Sequence, residues 1–536
     1  MEKFAALVDA LVYTRSRNGK LALIADYLRT TPDPDRGWAL AALTGGLDFP
    51  AVKGSTVRAL LTDRVDPVLF TLSRDYVGDT AETASLLWPE PMGQLAPPPK
   101  VSEAVAALSA MTRATVQAEL AALLDRLDVN GRYALLKLAT GAMRIGISAR
   151  LAKVAFAQAF AVPVDDVEEY WHGQFAPYQP LFDWAAKGAP PPSGEDLPLF
   201  RPFMLAHPLD DGAQLDLKDF AAEWKWDGIR VQIVHVAGET RVYSRSGDDI
   251  SATFPEIACA LSIPAVLDGE LLVRGSLQGG EAGGAASFNA LQQRLGRKAV
   301  SKRMLEESPA FVRLYDILVA EGEDLRPHAW EQRRAALEAF SARLDPARFD
   351  LSPVIPAADF AELAAIRERA RDEAIEGVML KRRDSPYVTG RRTGLWYKWK
   401  RDPLLVDCVL MYAQRGNGKR SSFYSDFTFG CWDGDPDADG LGGTELLPVG
   451  KAYFGFTDEE LVWLDRHVRQ HTVNRFGPVR ETDRTLVLEV AFDSIHTSKR
   501  HKSGLAMRFP RISRIRADKP AREADRLDAL RKLVRD

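Results

Sequence analysis

The chain has 536 residues, of which 46% are hydrophobic and 27% charged, and its formal net charge is -4. This composition is typical of a soluble globular protein with several domains, and the charge excludes a uniformly basic nucleic-acid coat. The three cysteines are too scattered for a disulfide framework or a four-cysteine zinc site. The sequence has no apolar run long enough for a signal core or a membrane span, so we expect a cytoplasmic protein.

Residues 1–187 are predicted to be helical, because Ala, Leu and Arg are plentiful and apolar residues recur at helical spacing. One of these helices covers 101–108, with Ser102 as its expected N-cap. A proline-rich loop at 88–99 separates two groups of helices.

The segment 131–148 predicts a helix, a glycine break and a second helix that is capped by Ser148. An ordinary helix–loop–helix is one interpretation. The other is a phosphate-binding turn, in which backbone N–H groups and Arg144 would contact an anion. The sequence leaves both interpretations open.

The segment 188–194 is the clearest linker, and β-type periodicity follows it. A Gly-rich segment at 275–286 lacks phosphate-loop spacing and is predicted to be a flexible loop. The region therefore predicts a mixed α+β domain, with strands at 231–236, 240–244, 266–273, 312–319, 377–381 and 396–400 and helices at 329–343 and 359–372.

The C-terminal part predicts a small five-stranded barrel with one helix. Its expected elements are strands at 404–413, 422–432 and 485–492, a Gly-Asn-Gly turn at 416–418, a helix at 458–470 and a charged terminal helix at 521–536.

Two segments are similar in sequence to metal-binding sites. The acidic segment 435–440 is similar to the first half of a calcium loop, but Leu446 stands where a bidentate Glu is required, so we expect a hairpin tip. His467 and His471 lie four residues apart on a predicted helix without the glutamate that a zinc hydrolase uses as base. Both histidines are predicted to be surface residues.

Basic residues concentrate at 381–401 and at 499–519. Such runs are usually solvated faces, but two of them in one half of a chain also fit a polyanionic partner.

A predicted strand near the start of the α+β region carries a lysine between two carboxylates. Because side chains two residues apart share a face of a strand, Glu223, Lys225 and Asp227 would point one way. Trp224 and Trp226 would point the other way, into a core. A charged face of this kind usually faces water; the alternative is that Lys225 is a nucleophile.

Charged residues near the other predicted strands favour the second interpretation. They are Arg245 after one strand, Asp268 and Glu270 at the start of another, Tyr315 and Asp316 within an apolar strand, Glu376 at a strand start, and Lys398 and Lys400 two apart in a strand.

This set of residue types fits the attack of a lysine on a phosphoryl group. Neighbouring cations and a desolvated strand would lower the pKa of the lysine nucleophile. Lys398, Lys400 and Mg²⁺ would stabilise the charge that grows on the attacked phosphate. Glu270 and Glu376 would supply the hard oxygen ligands that Mg²⁺ prefers, and Tyr315 would stack on a base.

The segment Lys225-Trp226-Asp227-Gly228 resembles the lysine motif of the covalent nucleotidyltransferases, which are the ATP-dependent DNA ligases, RNA ligases and mRNA capping enzymes. Later segments resemble the other motifs of that superfamily in the same order: Ser244-Arg245-Ser246-Gly247, Leu267-Asp268-Gly269-Glu270, Leu314-Tyr315-Asp316-Ile317-Leu318, Glu376-Gly377-Val378-Met379-Leu380-Lys381, Trp396-Tyr397-Lys398-Trp399-Lys400, Arg508-Phe509-Pro510-Arg511 and Arg516-Ala517-Asp518-Lys519. The last two are most similar to DNA ligases of the three-domain cellular type, and 138–148 resembles part of their helical DNA-binding domain.

The resemblance implies a multidomain α and α+β fold, with an all-α DNA-binding domain at 1–190, an α+β adenylation domain at 200–401 and an OB-fold β-barrel domain at 402–536.

It also implies a role for each matching residue. Lys225 would bond to AMP; Glu223 and Tyr315 would hold adenine; Arg230 and Glu270 would hold the ribose or the metal side; Arg245, Arg392, Lys398 and Lys400 would contact phosphates; Glu270 and Glu376 would bind Mg²⁺ or Mn²⁺; Arg516, Asp518 and Lys519 would orient pyrophosphate. Asp227 is then expected to shape the Asp-Gly turn. Tyr315 departs from the family, which more often has Phe.

The activity that the resemblance implies is ATP-dependent sealing of nicks in double-stranded DNA, for repair or replication. The expected protein is a monomer that encircles DNA, with possible nuclease or helicase partners. An RNA ligase or a GTP-dependent capping enzyme is the alternative in chemistry, and the helical region and the Arg-Phe-Pro-Arg segment argue against both. The scattered cysteines argue against an NAD-dependent ligase with a zinc site. A non-catalytic DNA-binding scaffold would need a broken motif, and every charged position is filled.

Overall fold

A computed structural model describes residues 1–91, 96–141, 143–192, 197–209, 215–274, 291, 294, 300–369, 375–416, 423–436, 444–498 and 501–534. Several predictions lie wholly or partly outside these residues: the Gly-rich segment 275–286, the turn at 416–418, the acidic segment 435–440, the end of the linker at 188–194 and the start of the second basic run. None of the described helices is both long and apolar enough to cross a membrane.

The chain forms two compact units. The first comprises Met1–Phe160, Ala176–Gln179 and Pro403–Asp536, and the second comprises Ala161–Phe175 and Pro180–Asp402. The predicted division into three domains remains a prediction.

The N-terminal part of the first unit is helical, as the sequence predicts. Its helices are α1 (Glu2–Tyr13), α2 (Arg17–Thr30), α3 (Asp35–Thr44), α4 (Gly54–Thr62), α5 (Pro67–Val77), α6 (Thr80–Leu87), α7 (Val101–Ala110), α8 (Val116–Asp125), α9 (Val129–Ala139) and α10 (Ala149–Phe160).

The two predicted helix caps have different outcomes. Ser148 caps α10, because its Oγ accepts the backbone N–H of Leu151 at 3.2 Å. The prediction for Ser102 is wrong, because α7 starts at Val101 and its N-cap is Lys100. The Glu103 carboxylate accepts the backbone N–H of Lys100 at 3.1 Å instead.

The C-terminal part of the first unit is the β-barrel. Its elements are β14 (Leu404–Arg415), β15 (Tyr424–Trp432), β16 (Leu446–Ala452), the helix α17 (Asp458–Gln470), β17 (Thr472–Phe476), β18 (Val479–Thr482), β19 (Val487–Phe492), β20 (Ser494–Thr497), β21 (Leu505–Arg508), β22 (Arg511–Arg516) and the helix α18 (Leu527–Arg531). Seven of these strands form one sheet, with β14 at its centre, and β20 and β21 form a separate pair. The five strands expected are too few, because short strands such as the largely exposed β17 lack an apolar pattern.

The expected terminal helix at 521–536 is also wrong. A single 3₁₀ turn covers Ala521–Glu523, and α18 has only five residues. Leu527 and Leu530 are fully buried in the barrel core, so tertiary packing rather than helix length fixes this segment.

The helices of the second unit are α11 (Val164–Trp171), α12 (Gln179–Lys187, whose first residue belongs to the first unit), α13 (Pro255–Ala258), α14 (Lys302–Glu307), α15 (Trp330–Ser341) and α16 (Phe360–Arg369). Its strands are β1 (Met204–Leu205), β2 (His207–Pro208), β3 (Phe220–Trp226), β4 (Ile229–Val236), β5 (Glu239–Ser244), β6 (Ala265–Val273), β7 (Ala310–Ala320), β8 (Glu323–Asp324), β9 (Phe349–Leu351), β10 (Val354–Ile355), β11 (Ile375–Arg382), β12 (Gly390–Arg391) and β13 (Trp396–Lys400). All six predicted strands and both predicted helices of this region are present among them.

The strands of the second unit form two main sheets. One has the order β10-β3-β11-β13-β2, and the other has the order β5-β4-β6-β7-β8, with β9 beside β7. Asp268 and Glu270 lie in the middle of β6 and not at a strand start, which corrects the sequence prediction. The chain passes from the first sheet to the second at the turn between β3 and β4, directly after the candidate nucleophile.

Candidate active site

The strand β3 places Glu223 and Lys225 on one face, as the alternating pattern predicts. It lies between β10 and β11, with Glu223 opposite Met379 and Lys225 opposite Gly377. On the other face Trp226 is buried, and its Nε1 donates a hydrogen bond to Ser352 Oγ at 3.0 Å. The charged face of this strand is therefore part of a folded site rather than a fully hydrated surface.

The Lys225 ammonium forms an ion pair with the Glu376 carboxylate on the neighbouring strand β11. The register of β11 against β3 shifts between Ile375 and Gly377, so Glu376 sits in a β-bulge. A bulge re-aims the side chain of its extra residue, and here it turns Glu376 toward the lysine. Both side chains remain about one-fifth exposed, so a ligand can reach them.

Glycine is required beside each partner of this ion pair. Gly377 has φ +151°, and a Cβ there would lie 2.3 Å from the Trp399 carbonyl oxygen. A Cβ on Gly228, in the turn after β3, would lie 2.6 Å from the Leu271 carbonyl oxygen. The two glycines therefore allow β11 to approach β13 and the turn to pack on β6. Asp227 precedes Gly228 in this turn, as the turn-shaping prediction requires.

Arg230 follows the turn and is held by Asp268. Its Nε and Nη2 donate to the two Asp268 oxygens at 3.0 and 2.6 Å. Tyr387 also donates to Asp268, at 2.7 Å, and the Arg230 guanidinium lies 4.2 Å from the Phe203 ring. A fully buried carboxylate thus fixes the direction of the arginine.

Glu270 lies across from Arg230 in the β4–β6 pair. Burial raises the pKa of Glu270 to about 8, although Lys225 and Arg230 act in the opposite direction. The carboxylates of Glu376 and Asp268 add to the increase. The negative charges of the Glu270 and Glu376 carboxylates repel each other, so ionising both is unfavourable. A bound divalent cation would relieve this repulsion. Glu270 and Glu376 therefore fit the predicted magnesium ligands in donor chemistry.

A second ion pair lies along β3, next to the predicted adenine site. The Lys381 ammonium donates to Glu223 Oε2 at 3.0 Å, and both side chains are 2% exposed. Lys381 also lies 4.6 Å from the centroid of the Tyr315 ring. Arg334 of α15 approaches Glu223 Oε1 to 3.6 Å. Lys381 belongs to the first basic run, which is therefore not entirely a surface feature.

Several cations surround Lys398, and Lys225 is one of them. Burial lowers the pKa of Lys398, and so do four neighbouring cations: Arg391, Lys400, Lys225 and Arg245. Lys400 also lies 3.3 Å from Glu376. These positive charges repel one another when no ligand is bound. A negatively charged polyphosphate would relieve the repulsion.

Arg392, the predicted phosphate contact, points elsewhere in this structure. Its Nη2 donates to Asp165 of α11 at 2.5 Å. Its neighbour Arg391 is the residue that contributes to the cation group around Lys398. A run of two arginines at the end of a short strand does not indicate which of them faces the site.

The predicted pyrophosphate-orienting residues belong to the first unit. Arg516 ends β22 and forms ion pairs with Asp518 at 2.9 Å and with Asp407 at 3.4 Å. Lys519 reaches the same Asp407 at 2.7 Å. Asp407 of β14 therefore holds both cations of this motif, a role that no local sequence signal indicates.

Asp316, counted with the charged set, has a structural position. Arg333 of α15 donates to both Asp316 oxygens, at 2.8 and 3.0 Å, and both side chains are buried. This pair attaches the helix to β7 beneath Tyr315. A sequence-based search could have found Arg333 and Arg334 only by asking which arginines fall on the buried face of α15.

His467 of α17 departs from the prediction of a surface residue, whereas His471, which follows the helix, has a side chain that is 39% exposed. His467 is half-buried, stacks on His471 with ring centroids 4.1 Å apart, and has an Nε2 atom without a hydrogen-bond partner among the described residues. His471 Nδ1 lies 2.6 Å from Asp483 Oδ2. These three residues are the described group whose ligand atoms come close enough for a metal, but the parallel rings do not direct their lone pairs at one point.

Comparison with known proteins gives consistent matches. Residues 203–400 match the family model "ATP dependent DNA ligase domain", and residues 420–519 match "ATP dependent DNA ligase C terminal region". A "Probable DNA ligase" of Anaeromyxobacter sp. is 36% identical over 77% of this chain and 78% of that protein. A "Probable DNA ligase" of Opitutus terrae is 31% identical over 99% of this chain, which spans only 62% of that relative's length.

The solved structure described as "Pmar-Lig_PreS3" is similar in fold. It covers 96% of this chain and 99% of its own, with a TM-score of 0.57 at 16% identity. The helical region, the α+β region and the OB-like barrel of the predicted fold class are thereby confirmed.

Proposed function

Because the chain belongs to the ATP-dependent DNA ligase family, we propose that it seals nicks in duplex DNA through a lysyl-AMP intermediate on Lys225. The predicted family resemblance is confirmed by the same matches. The observation that carries the proposal is the position of Lys225: a half-buried lysine, held by one carboxylate, beside a group of cations. We retain the domain division at 1–190, 200–401 and 402–536, which the two matched segments support.

In the first step Lys225 attacks the α-phosphate of ATP. The Glu376 ion pair holds the side chain on the correct face of β3. The lysine must leave this contact to become a neutral amine, and its proton passes to a carboxylate or to water. Arg245, Lys398 and Lys400 stabilise the charge on the attacked phosphate.

Glu270 and Glu376 are the residues that would bind Mg²⁺ or Mn²⁺. A divalent cation supplies neutralisation of phosphate charge without needing a proton. A bound cation would favour the ionised form of Glu270, because its charge would offset the burial that raises the pKa of this carboxyl. Arg516, Asp518 and Lys519 act on the pyrophosphate leaving group.

In the second and third steps AMP passes to the 5′-phosphate of the nick, and the 3′-hydroxyl displaces AMP. The DNA has to be held through its phosphates, because sealing does not depend on sequence. Arg391 and Lys398 can serve these steps as well, since the same cation group meets each phosphate in turn.

A second DNA contact is proposed at the loop that follows α9. A shallow cavity of about 360 Å³ lies there, lined by residues that include Gly45, Gly141 and Arg144. Arg144 adopts φ +45°, which a non-glycine residue rarely does. The buried Lys20 ammonium donates to the carbonyl oxygens of Ile145 and Gly146 at 3.1 and 3.0 Å, and it holds this turn in place. These contacts favour the phosphate-binding interpretation of the segment.

The test is to incubate the protein with a divalent cation and α-labelled ATP, GTP or labelled NAD, and then with nicked DNA or nicked RNA. We expect label on the protein from ATP alone and sealing of DNA. Sealing of RNA in preference to DNA would favour an RNA ligase, and label from GTP alone would favour a capping-type enzyme. DNA binding without any label would favour a scaffold.

A further inference from the structure

We propose that Lys381, assisted by Arg334, sets the base specificity of the nucleotide pocket by keeping Glu223 as a carboxylate acceptor beneath Tyr315. The pocket would then take a base with an exocyclic amine at the purine 6-position, as in ATP, and refuse one with a carbonyl there, as in GTP. The inference rests on the proposed function, because it assigns the adenine site to Glu223 and Tyr315.

The first observation is that one lysine contacts both of the residues expected to hold the base. Lys381 Nζ lies 3.0 Å from Glu223 Oε2, 3.3 Å from the Tyr315 carbonyl oxygen and 4.6 Å from the Tyr315 ring centroid. It also lies 4.7 Å from the ring of Trp396. Lys381 therefore fixes the stacking residue and the acceptor relative to each other. It is 2% exposed and is thus a positioning residue, not a phosphate contact.

The second observation is that the two oxygens of Glu223 are not equivalent. Lys381 donates to Oε2. Among the described residues Oε1 has no hydrogen-bond donor, and the nearest cation, Arg334 Nη1, lies 3.6 Å away. Arg334 is itself committed to the Ser352 carbonyl oxygen at 2.8 Å and to Glu338 at 2.7 Å. A buried acceptor without a donor is costly, and a ligand amine would satisfy it.

The charge on Glu223 decides which base it accepts. An ionised carboxylate only accepts hydrogen bonds, whereas a protonated one can donate. Burial raises the pKa of Glu223, and Lys381 and Arg334 oppose that rise. Asp316 of β7 also acts on Glu223, and it raises the pKa in the same direction as burial. Without Lys381 the pKa of Glu223 would rise further, and the protonated carboxyl could then donate a hydrogen bond to a carbonyl oxygen.

A pocket built to hydrogen-bond one polar group can reject an analogue strongly, because the mismatched groups are left buried and unpaired. An amine at the 6-position satisfies Glu223 Oε1. A carbonyl in the same place would bring two acceptors together. The discrimination therefore depends on the acceptor remaining ionised and in place, which is the contribution of Lys381.

The experiment measures self-adenylylation and self-guanylylation of the full chain with labelled ATP and GTP between pH 6 and pH 9. For Lys381→Met we expect the ATP:GTP ratio of kcat/KM to fall at least tenfold at pH 7, mainly through the KM for ATP. We also expect the ratio to recover as pH rises and Glu223 ionises again. In the wild type the ratio should vary less with pH than in Lys381→Met, because Lys381 opposes the rise in the pKa of Glu223.

Two further variants keep the test decisive. Glu223→Gln combined with Lys381→Met leaves a neutral pair in place of the buried ion pair, and we expect it to fold and to show a low ratio at every pH. Lys137→Met is the matched control: it removes another buried lysine, which is paired with Asp79 in the helical region, and should leave the ratio unchanged.

An unchanged ATP:GTP ratio in Lys381→Met or in the double variant would overturn the inference. Should Lys381→Met fail to fold, the double variant alone decides. Absence of label from ATP on the wild-type protein would instead contradict the proposed function, so the two failures are distinguishable.

Discussion

The Glu376 carboxylate meets the Lys225 ammonium because a β-bulge in β11 turns it toward β3. The same carboxylate lies 3.3 Å from Lys400 and contributes to the raised pKa of Glu270. One side chain thus connects the nucleophile, a phosphate-binding cation and the expected metal ligand.

Replacing this carboxylate should impair the first chemical step. We expect Glu376→Gln to slow self-adenylylation by about 100-fold, since it loses both the metal ligand and the contact that positions Lys225. The rate of label incorporation at saturating ATP measures this. Glu331→Gln, which removes a surface carboxylate of the same unit, is the control. A loss of less than about threefold in Glu376→Gln would count against the assigned role.

The raised pKa of Glu270 should make the stability of the folded protein depend on pH. Burial raises the folded-state pKa of Glu270 to about 8, above the ordinary value of 4.5 for a glutamate, so its ionisation costs stability. The cost is absent below the unfolded pKa, grows as pH rises between the two values, and is complete above the folded pKa. Glu270→Gln should therefore raise Tm by several degrees at pH 8 and by little at pH 5.

Thermal melts of the two proteins across this pH range, without nucleotide or metal, measure the difference. The same variant should be defective in self-adenylylation, because the expected metal ligand is lost. A Tm difference that stays constant from pH 5 to pH 8 would show that the Glu270 carboxyl is not the titrating group.

Arg516 and Lys519, the two cations that pair with Asp407, should affect the rate of the first reaction step more than the rate of the second. Arg516→Ala or Lys519→Ala should slow formation of enzyme-AMP at least tenfold more than transfer of AMP from preformed enzyme-AMP to a nick, because pyrophosphate leaves only in the first step. Single-turnover assays measure the two steps. Arg522→Ala, which removes an exposed arginine nearby, is the control, and equal losses in both steps would contradict the assignment.

Because Lys20 holds the turn that contains Arg144, we expect replacement of Lys20 to weaken DNA binding and not self-adenylylation. Lys20→Met should weaken binding of nicked duplex several-fold at fixed salt, since the carbonyl oxygens of Ile145 and Gly146 lose their donor and Arg144 loses its fixed direction. Fluorescence anisotropy measures this affinity. The exposed Lys3→Met carries the same charge change as a control. If Lys20→Met reduced self-adenylylation as much as DNA affinity, the loop would not be a specific DNA contact.

The sequence predicted the strands of the second unit and the residues that face its site, because alternation and motif order are local features. Glu223, Lys225 and Lys398 lie where the strand pattern places them, whereas Glu376 meets Lys225 only because of the β-bulge in β11. What it did not predict depends on contacts between distant residues. The sequence shows Lys381 only as part of a basic run, and the pairing of β3 with β11 brings it to the Tyr315 ring.

The incorrect predictions have the same physical origin. Ser102 has the right residue type for a cap, yet the helix begins at Val101. The terminal segment has helical composition, but packing of Leu527 and Leu530 in the barrel core fixes its structure. Asp407 carries no motif at all, and its importance follows only from the two cations that reach it. Local propensity is a weak prior where tertiary contacts decide.

The most direct test of the account is peptide mapping by mass spectrometry of protein incubated with ATP and Mg²⁺. The account predicts one AMP adduct, on the peptide that contains Lys225, which disappears on addition of nicked DNA and does not form in Lys225→Ala. An adduct on another residue, or one that persists in Lys225→Ala, would contradict it.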